Sequence, residues 1–434
     1  CPVLSLEHIG KLSKLGNLDL SSTQITDLSP LEGLIHLHSL DLSSTQCTTD
    51  LQAIASLEGL LTLNLAYTSV SDLEALGRLP KLQNLDLSYT DVVDLSALAN
   101  WKSTLNQLSL AGTSVEDFSV LSSFDRLENL DLSETCTDDW TFLSTMVQLK
   151  ELNLESTTIE DLSPLAGLSN LKVLNLSRVP TASLNGLESL DGLQSLNLGF
   201  VKVHDIAPLH RMARLKVLKI NNSKVEEISI LAAMPFLETL DLGDTKVTDI
   251  SPLQHCTQLR ELRLLRNQVK DLSPLQSLFR LETLDLKSCP VLDLAPLRNL
   301  LNLRLLALSG PTISDIGALS TLERLETLEI AHAPLQQLQP ITNLKMLNEL
   351  TVVFCKVSDI QPIQLLSQLR VLKIHSNPIE ELSPISNLKQ LTVLDLAGTG
   401  IRSISPLSAL GLLTTLNVSE TNIDEIEAIG SLVK

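Results

Sequence analysis

An α/β solenoid, built from many copies of one short strand and one short 3₁₀ or helical turn, is the fold class that this 434-residue sequence predicts, on three observations. The stretch "LDLSSTQITDLSPLEGL" at 18 returns almost unchanged as "LDLSYTDVVDLSALANW" at 85, "LDLGDTKVTDISPLQHC" at 240 and "LDLAGTGIRSISPLSAL" at 394. Its marker, the apolar pair that begins with Leu18 and Leu20, recurs in nineteen units separated by sixteen steps of 22 residues and two of 23. Finally, 44% hydrophobic residues with only 3% aromatics leave leucine to do the burying, a poor match to a set of conventional globular cores.

Each unit opens with an L-x-x-L-x-L pattern such as Leu15, Leu18 and Leu20. The last two alternate at period 2, so they share one face of a short strand and the residues between them point to the other. After a turn comes an apolar residue (Ile25, Val115, Val247), then a D-L-S-P-L segment with Leu28, Leu31 and Leu34 at three-residue spacing, which predicts one 3₁₀ or helical turn. Serine and proline, as at Ser29 and Pro30, suit the N-cap and first position of that turn, because proline there has no N–H to waste. Ten units carry the proline, from Pro30 to Pro406. The expected organisation is one domain over 1–434, nineteen full repeats with partial repeats at both ends and no internal linker. Cys1 falls at the position of Thr23 and Leu432 at that of Leu34, so both ends lie in mid-repeat, as expected of an excerpt from a longer chain.

This pattern resembles the leucine-rich repeat family, in particular the 22-residue class of SDS22-like phosphatase regulators and bacterial internalins. The resemblance covers the whole chain. It implies a right-handed superhelix in which parallel strands form a concave sheet and 3₁₀ or helical turns line the convex side. The family's inward asparagine at the ninth position is here mostly threonine, as at Thr23, Thr45, Thr68, Thr90 and Thr113, with asparagine only at Asn267 and Asn377. A threonine hydroxyl can still satisfy a buried turn group, so the ladder is expected to be structural. The threonine-ladder wording also resembles large leucine-rich repeat proteins of trypanosomatid parasites.

Composition narrows the function. With 32 basic and 51 acidic residues, a formal charge of -19 disfavours nucleic-acid binding or docking on anionic lipid, and the apolar runs are too short to span a membrane. Of six cysteines, Cys1, Cys289 and Cys355 fall on the ladder, Cys47 and Cys256 on inward positions and Cys136 near the surface. Buried free thiols favour a reducing, cytoplasmic setting. The eight histidines show no metal-ligand spacing, His255 beside Cys256 sends its neighbour's thiol into the core, and no phosphate loop or nucleophile elbow is present. No enzyme, metal or cofactor is expected.

The informative positions are the outward ones. Early strands carry Asp19, Asp41, Asp86, Asp131 and Glu151, read as a solvated acidic face. Tyr67 and Tyr89 occupy one strand-end column in consecutive units, and are expected to stack. Lys219, Arg263, Arg266 and Lys287 gather on or beside the middle strands, with Phe200 nearby and Asp241, Asp244 and Asp285 partly neutralising them. His332, Val353, Phe354 and His375 form an apolar, aromatic cluster on the late strands, the kind of patch that marks binding surfaces. Trp101 and Trp140 read as convex core. The expected function is a non-enzymatic scaffold or regulatory subunit gripping a partner protein, with an acidic or phosphorylated segment, on the concave face between Phe200 and His375. The alternatives are a substrate-recognition module of a larger enzyme or ubiquitin ligase, and an extracellular adhesin.

Overall fold

The computed structural model describes residues 6–46 and 51–424. They belong to two compact units that meet in the sequence between Leu215 and Lys216. In the first unit the described strands run from Asn17–Asp19 to Ser195–Asn197, each paired in parallel with the next so that leucine faces leucine, from Leu18 opposite Leu40 to Leu174 opposite Leu196. In the second they run from Val217–Lys219 to Thr415–Asn417 with the same register, Leu218 opposite Leu240 through to Leu394 opposite Leu416. The alternating pattern explains the pairing: between the first and last strands the central leucine is buried while its two neighbours face outward, as in Thr62–Asn64 and Asn84–Asp86.

Between strands the chain makes 3₁₀ turns such as Ser29–Leu31, Ser273–Ser277 and Ser405–Ala409. Their three-residue rise matches the leucine spacing, so Leu31, Leu275 and Leu407 all point inward and are fully buried. Pro30, Pro274 and Pro406 lie in the first turn, where no N–H is needed. The cap itself is not the serine. Ser29 is already the first 3₁₀ residue, and the residue before it is Leu28, which offers no side-chain acceptor. The aspartate two positions upstream does that work. Asp27, Asp117, Asp161 and Asp271 each accept the N–H of the turn's first serine at 2.8 to 2.9 Å. The acceptor has to stand two residues before the turn, and where serine holds that place, at Ser403, its hydroxyl accepts the Ser405 N–H at 3.2 Å.

Threonine and asparagine satisfy the interior differently. The hydroxyls of Thr68, Thr113 and Thr399 donate to the carbonyl three residues back, within the same unit, at 2.6 to 2.7 Å. Asn377 reaches further, its Nδ2 donating to Ile374 O at 3.0 Å and to Val352 O of the preceding unit at 2.8 Å. Asn267 does the same with Leu264 O and Leu242 O. Asparagine therefore ties consecutive units together; a lone threonine closes only its own turn.

A second device ends the strands. The residue after each central leucine is Asp or Asn in most units of the first half, and its side-chain oxygen accepts the N–H two residues on: Asp19 from Ser21, Asp86 from Ser88, Asn175 from Ser177. The chain then turns through a left-handed residue. All nineteen members of that column, from Ser22 to Glu420, have positive φ; sixteen are not glycine and lie between 52° and 63°. This conformation costs an L-residue on the order of 1 kcal/mol. It lets the column's N–H groups extend the ladder beyond the strand, as in Tyr67 N–H to Ser88 O at 2.8 Å and Arg266 N–H to Lys287 O at 2.7 Å, while Ser288 N–H donates to Ser309 Oγ.

The capping Asp or Asn is missing from strands that stay at three residues, as at Ser109, Lys219, Arg263 and Lys373, and also from one run of three longer strands. Ala307, Glu329 and Thr351 replace it in consecutive units, and their strands, Leu305–Ser309, Thr327–Ala331 and Glu349–Val353, run to five residues instead of three. In the first half, Gly186 marks the stretch between Val173–Asn175 and Ser195–Asn197, which lacks a 3₁₀ turn. Its φ is 103°, and a Cβ there would meet Leu162 O at 2.5 Å.

Cys256, Cys289 and Cys355 are buried and free, and Cys136 is exposed and free; Cys1 and Cys47 lie outside the described residues. Burial pushes the thiols of Cys256 and Cys289 up to about 11.

Candidate functional site

In the first unit the strand-end column carries an aromatic stack. Tyr67 and Tyr89 lie with ring centroids 4.7 Å apart and planes 13° from parallel. The next column member, Gly112, makes room: a Cβ there would sit 2.4 Å from the Tyr89 ring. Tyr89 thereby lies across Gly112 and hydrogen-bonds the Glu134 carboxylate, which, with desolvation, pushes its phenol up to about 12. Phe200, in the same column, is half exposed, with the Arg178 guanidinium 4.6 Å from its ring centroid and Glu155 beside that arginine at 3.7 Å. Along the same unit's strands runs a shallow trough of about 570 Å³ lined by amides and carboxylates, among them Asn84, Gln107, Asn129 and Asp131.

The second unit carries the expected cations, in partnership. Register places Lys219 beside Asp241, Asp241 beside Arg263 and Arg263 beside Asp285. Arg263 pairs with Glu261 at 2.5 Å, Arg266 with Asp244 at 3.2 Å, and Lys287 with Asp285 at 3.8 Å and Glu329 at 3.3 Å. Lys219 makes no ion pair within 4 Å among the described residues. The middle-strand cations and the aspartates read as partly neutralising them form an alternating ladder of charge. Burial raises the Asp241 carboxyl above its ordinary value, against the Gly243 N–H and the nearby Arg263 and Lys219 that favour its ionised form.

His332, Phe354 and His375 come together as expected. His332 stacks on Phe354 at 4.7 Å and 10°, and His375 meets the same ring edge-on at 5.2 Å and 88°. Phe354 is 52% exposed. Val353 corrects the reading: it ends a five-residue strand in register with Ala331 and is buried, because the lengthened strands enclose it. Trp101 and Trp140 are buried as read, the first donating its Nε1–H to Leu79 O at 2.7 Å and the second packing against Phe118 and Phe142.

Residue-by-residue reading missed a second charged column at the strand starts: Lys216 with Glu238, Arg260 with Glu282 and Arg304 with Glu326. The signal was available, since residues 22 apart are neighbours once the register is known. Among the described residues no cluster of three or more His, Cys, Asp or Glu is placed to hold a metal, and no helix is long and apolar enough to cross a membrane.

A family model described as leucine-rich repeats in two copies matches residues 13–56 and 235–277. No curated protein matches the chain by sequence. Among solved structures, the internalin inlF from Listeria monocytogenes is similar, with 28% identity, 80% of this chain and 89% of that one covered, and a TM-score of 0.52. An LRR protein from Leptospira interrogans is 21% identical, with coverage of 91% and 93% and a TM-score of 0.59. The LRR ectodomain of the receptor kinase GASSHO1/SCHENGEN3 from Arabidopsis thaliana, solved in complex with Casparian strip integrity factor 2, is 21% identical. It covers 99% of this chain, which spans 56% of that one, at a TM-score of 0.76.

Proposed function

The chain is a leucine-rich repeat protein, and from that premise we propose that it is a non-enzymatic scaffold whose second unit binds a partner protein with its strands and strand-end turns, between Lys219 and His375. The observation that carries this reading is the fate of the strand-capping column. In the first unit eight of nine members are Asp or Asn, serving the backbone; in the second only Asp241, Asp285, Asp395 and Asn417 are, and Lys219, Arg263, Ala307, Glu329, Thr351 and Lys373 take the other places. A position released from its structural duty is free to present chemistry outward. Phe354 supplies an aromatic anchor on the same face: it leaves half its surface in water while His332 and His375 pack against its ring. Exposed aromatic and arginine side chains are the usual energetic anchors of interfaces, so Phe354, Arg263 and Arg266 are assigned that role. The receptor ectodomain that shares this fold was solved holding another molecule, which accords with a scaffold.

The three buried thiols, Cys256, Cys289 and Cys355, support placing this scaffold in a reducing compartment. Affinity capture followed by quantitative mass spectrometry tests the binding face. A partner held by the parent, lost with Phe354→Ala and kept with Leu365→Ala on an exposed 3₁₀ turn supports the assignment. A partner kept with Phe354→Ala and with Arg263→Glu plus Arg266→Glu, yet lost with Tyr67→Ala plus Tyr89→Ala, moves the site to the first unit.

A further inference from the structure

Outside that face, the second unit has a groove of about 400 Å³ built from two columns of side chains at the strand starts. One column alternates Arg260, Glu282, Arg304 and Glu326; the other carries Arg280, Asn302, Arg324 and Met346. The glutamates are already engaged. Glu282 accepts from Arg260 Nη1 at 2.5 Å, and Glu326 Oε1 accepts from Arg304 Nε at 2.8 Å and Nη2 at 2.5 Å. Arg324 Nη1 donates to Asn302 Oδ1 at 2.7 Å, and Asn302 Nδ2 to Phe279 O at 2.7 Å, which leaves neither Arg280 nor Arg324 an ion pair among the described residues. Four guanidinium groups against two carboxylates thus make a local surplus of positive charge in a chain of formal charge -19. Met346 in the groove is 52% exposed, and Phe279 and Leu301, the chain neighbours of its Arg280 and Asn302, are exposed by 57% and 55%.

We propose that this groove binds an acidic peptide segment of a partner, extended along the repeat direction, with two carboxylates on Arg280 and Arg324 and an apolar side chain between them on Phe279 and Leu301. The spacing fits. Arg280 and Arg324 stand two units apart, about 9.6 Å at about 4.8 Å per strand. In a polyproline-II chain, residues i and i+3 lie on one side and are separated by about 9.3 Å. The guanidinium fork pairs with a carboxylate through two parallel hydrogen bonds, and the adjoining ion pairs hold Arg260 and Arg304 away from competing for it. A single phosphate would bridge the two forks poorly at that separation.

The probe is a fluorescein-labelled peptide containing Glu-Pro-Leu-Glu, read by fluorescence anisotropy on the whole chain, with Gln-Pro-Leu-Gln and a phosphoserine version as comparisons. The parent binds the glutamate peptide, more weakly as salt rises, and Arg280→Ala plus Arg324→Ala weakens it about tenfold, the loss of roughly 1.4 kcal/mol. Both residues are exposed, so the thermal melt of the double variant matches the parent. The assignment is overturned if no binding is seen at millimolar peptide, if the glutamine peptide binds equally, if only the phosphoserine peptide binds, or if the double variant binds like the parent. Arg263→Glu plus Arg266→Glu leaves peptide binding within about twofold; if it abolishes binding, the peptide sits on the strand face and the groove is not its site. The capture experiment with Phe354→Ala reads the strand face by itself, so the two proposals fail separately.

Discussion

The contrast between asparagine and threonine on the inward ladder yields a graded prediction. In Asn377→Ala three buried backbone groups lose their partner: Val352 O and Ile374 O, bonded at 2.8 and 3.0 Å, and the Val357 N–H, which donates to Oδ1 at 3.3 Å. Asn377 is 3% exposed, so water does not replace it freely. At about 1 kcal/mol net per buried hydrogen bond the loss is roughly 3 kcal/mol. Asn377→Thr keeps the bond to the carbonyl three residues back, as Thr399 does with Leu396 O at 2.6 Å, and loses the two that reach beyond it, roughly 2 kcal/mol. Thr113→Val removes one bond of 2.7 Å in a side chain of the same shape, about 1 kcal/mol. Thr26→Val, on an exposed turn, costs little. Urea denaturation ranks the four, and native-state hydrogen exchange at the Val357 amide reads the local opening. If Asn377→Ala costs no more than Thr113→Val, or leaves Val357 protection unchanged, the cross-unit role of asparagine is wrong.

Alkaline titration of phenol absorbance is simple here, because the chain has only two tyrosines. Tyr89 ionises at about 12, and Glu134→Gln brings its midpoint down toward 10, as does Gly112→Ala by displacing the ring; an unmoved midpoint in both refutes the Glu134 bond. Since the folded value is the raised one, the stability linked to this contact is present below pH 10 and is lost as pH rises toward about 12. Hydrogen bonds to Ser29, Ser119, Ser163 and Ser273 hold the carboxyls of Asp27, Asp117, Asp161 and Asp271 below their ordinary 3.8, so their contribution is present above that value and is lost as pH falls through their lowered midpoints. Asp271→Asn flattens that acid response in melts between neutral and strongly acidic pH, and an unchanged curve counts against the cap. Thiol mapping under native conditions labels Cys136 and spares Cys256 and Cys289 until unfolding; native labelling of either buried thiol contradicts its burial.

Local spacing by itself determined the repeat, the strand and turn of each unit, the leucine core and the inward ladder. Each of these depends on residues within one 22-residue period, where alternation and three-residue steps translate directly into faces. The stacking of Tyr67 on Tyr89 and of His332 on Phe354 was legible for the same reason, once equal positions in neighbouring units were recognised as neighbours in space. Tertiary structure decided what depends on how one unit sits on the next. It showed that Asn377 bridges two units where Thr113 closes one, that Asp27 rather than Ser29 caps the 3₁₀ turn, and that Asp19 and its equivalents brace a left-handed turn instead of forming a mere acidic face. It also buried Val353, at the end of a five-residue strand in register with Ala331. Charge was less legible: the sequence sets Asp241, Asp244 and Asp285 near Arg263, Arg266 and Lys287, but only the structure shows which carboxylate each cation meets, Glu261 and Glu329 among them, and that Arg280 and Arg324 of the groove have no ion pair among the described residues. Pairing is a property of distance between units, and no single repeat contains it.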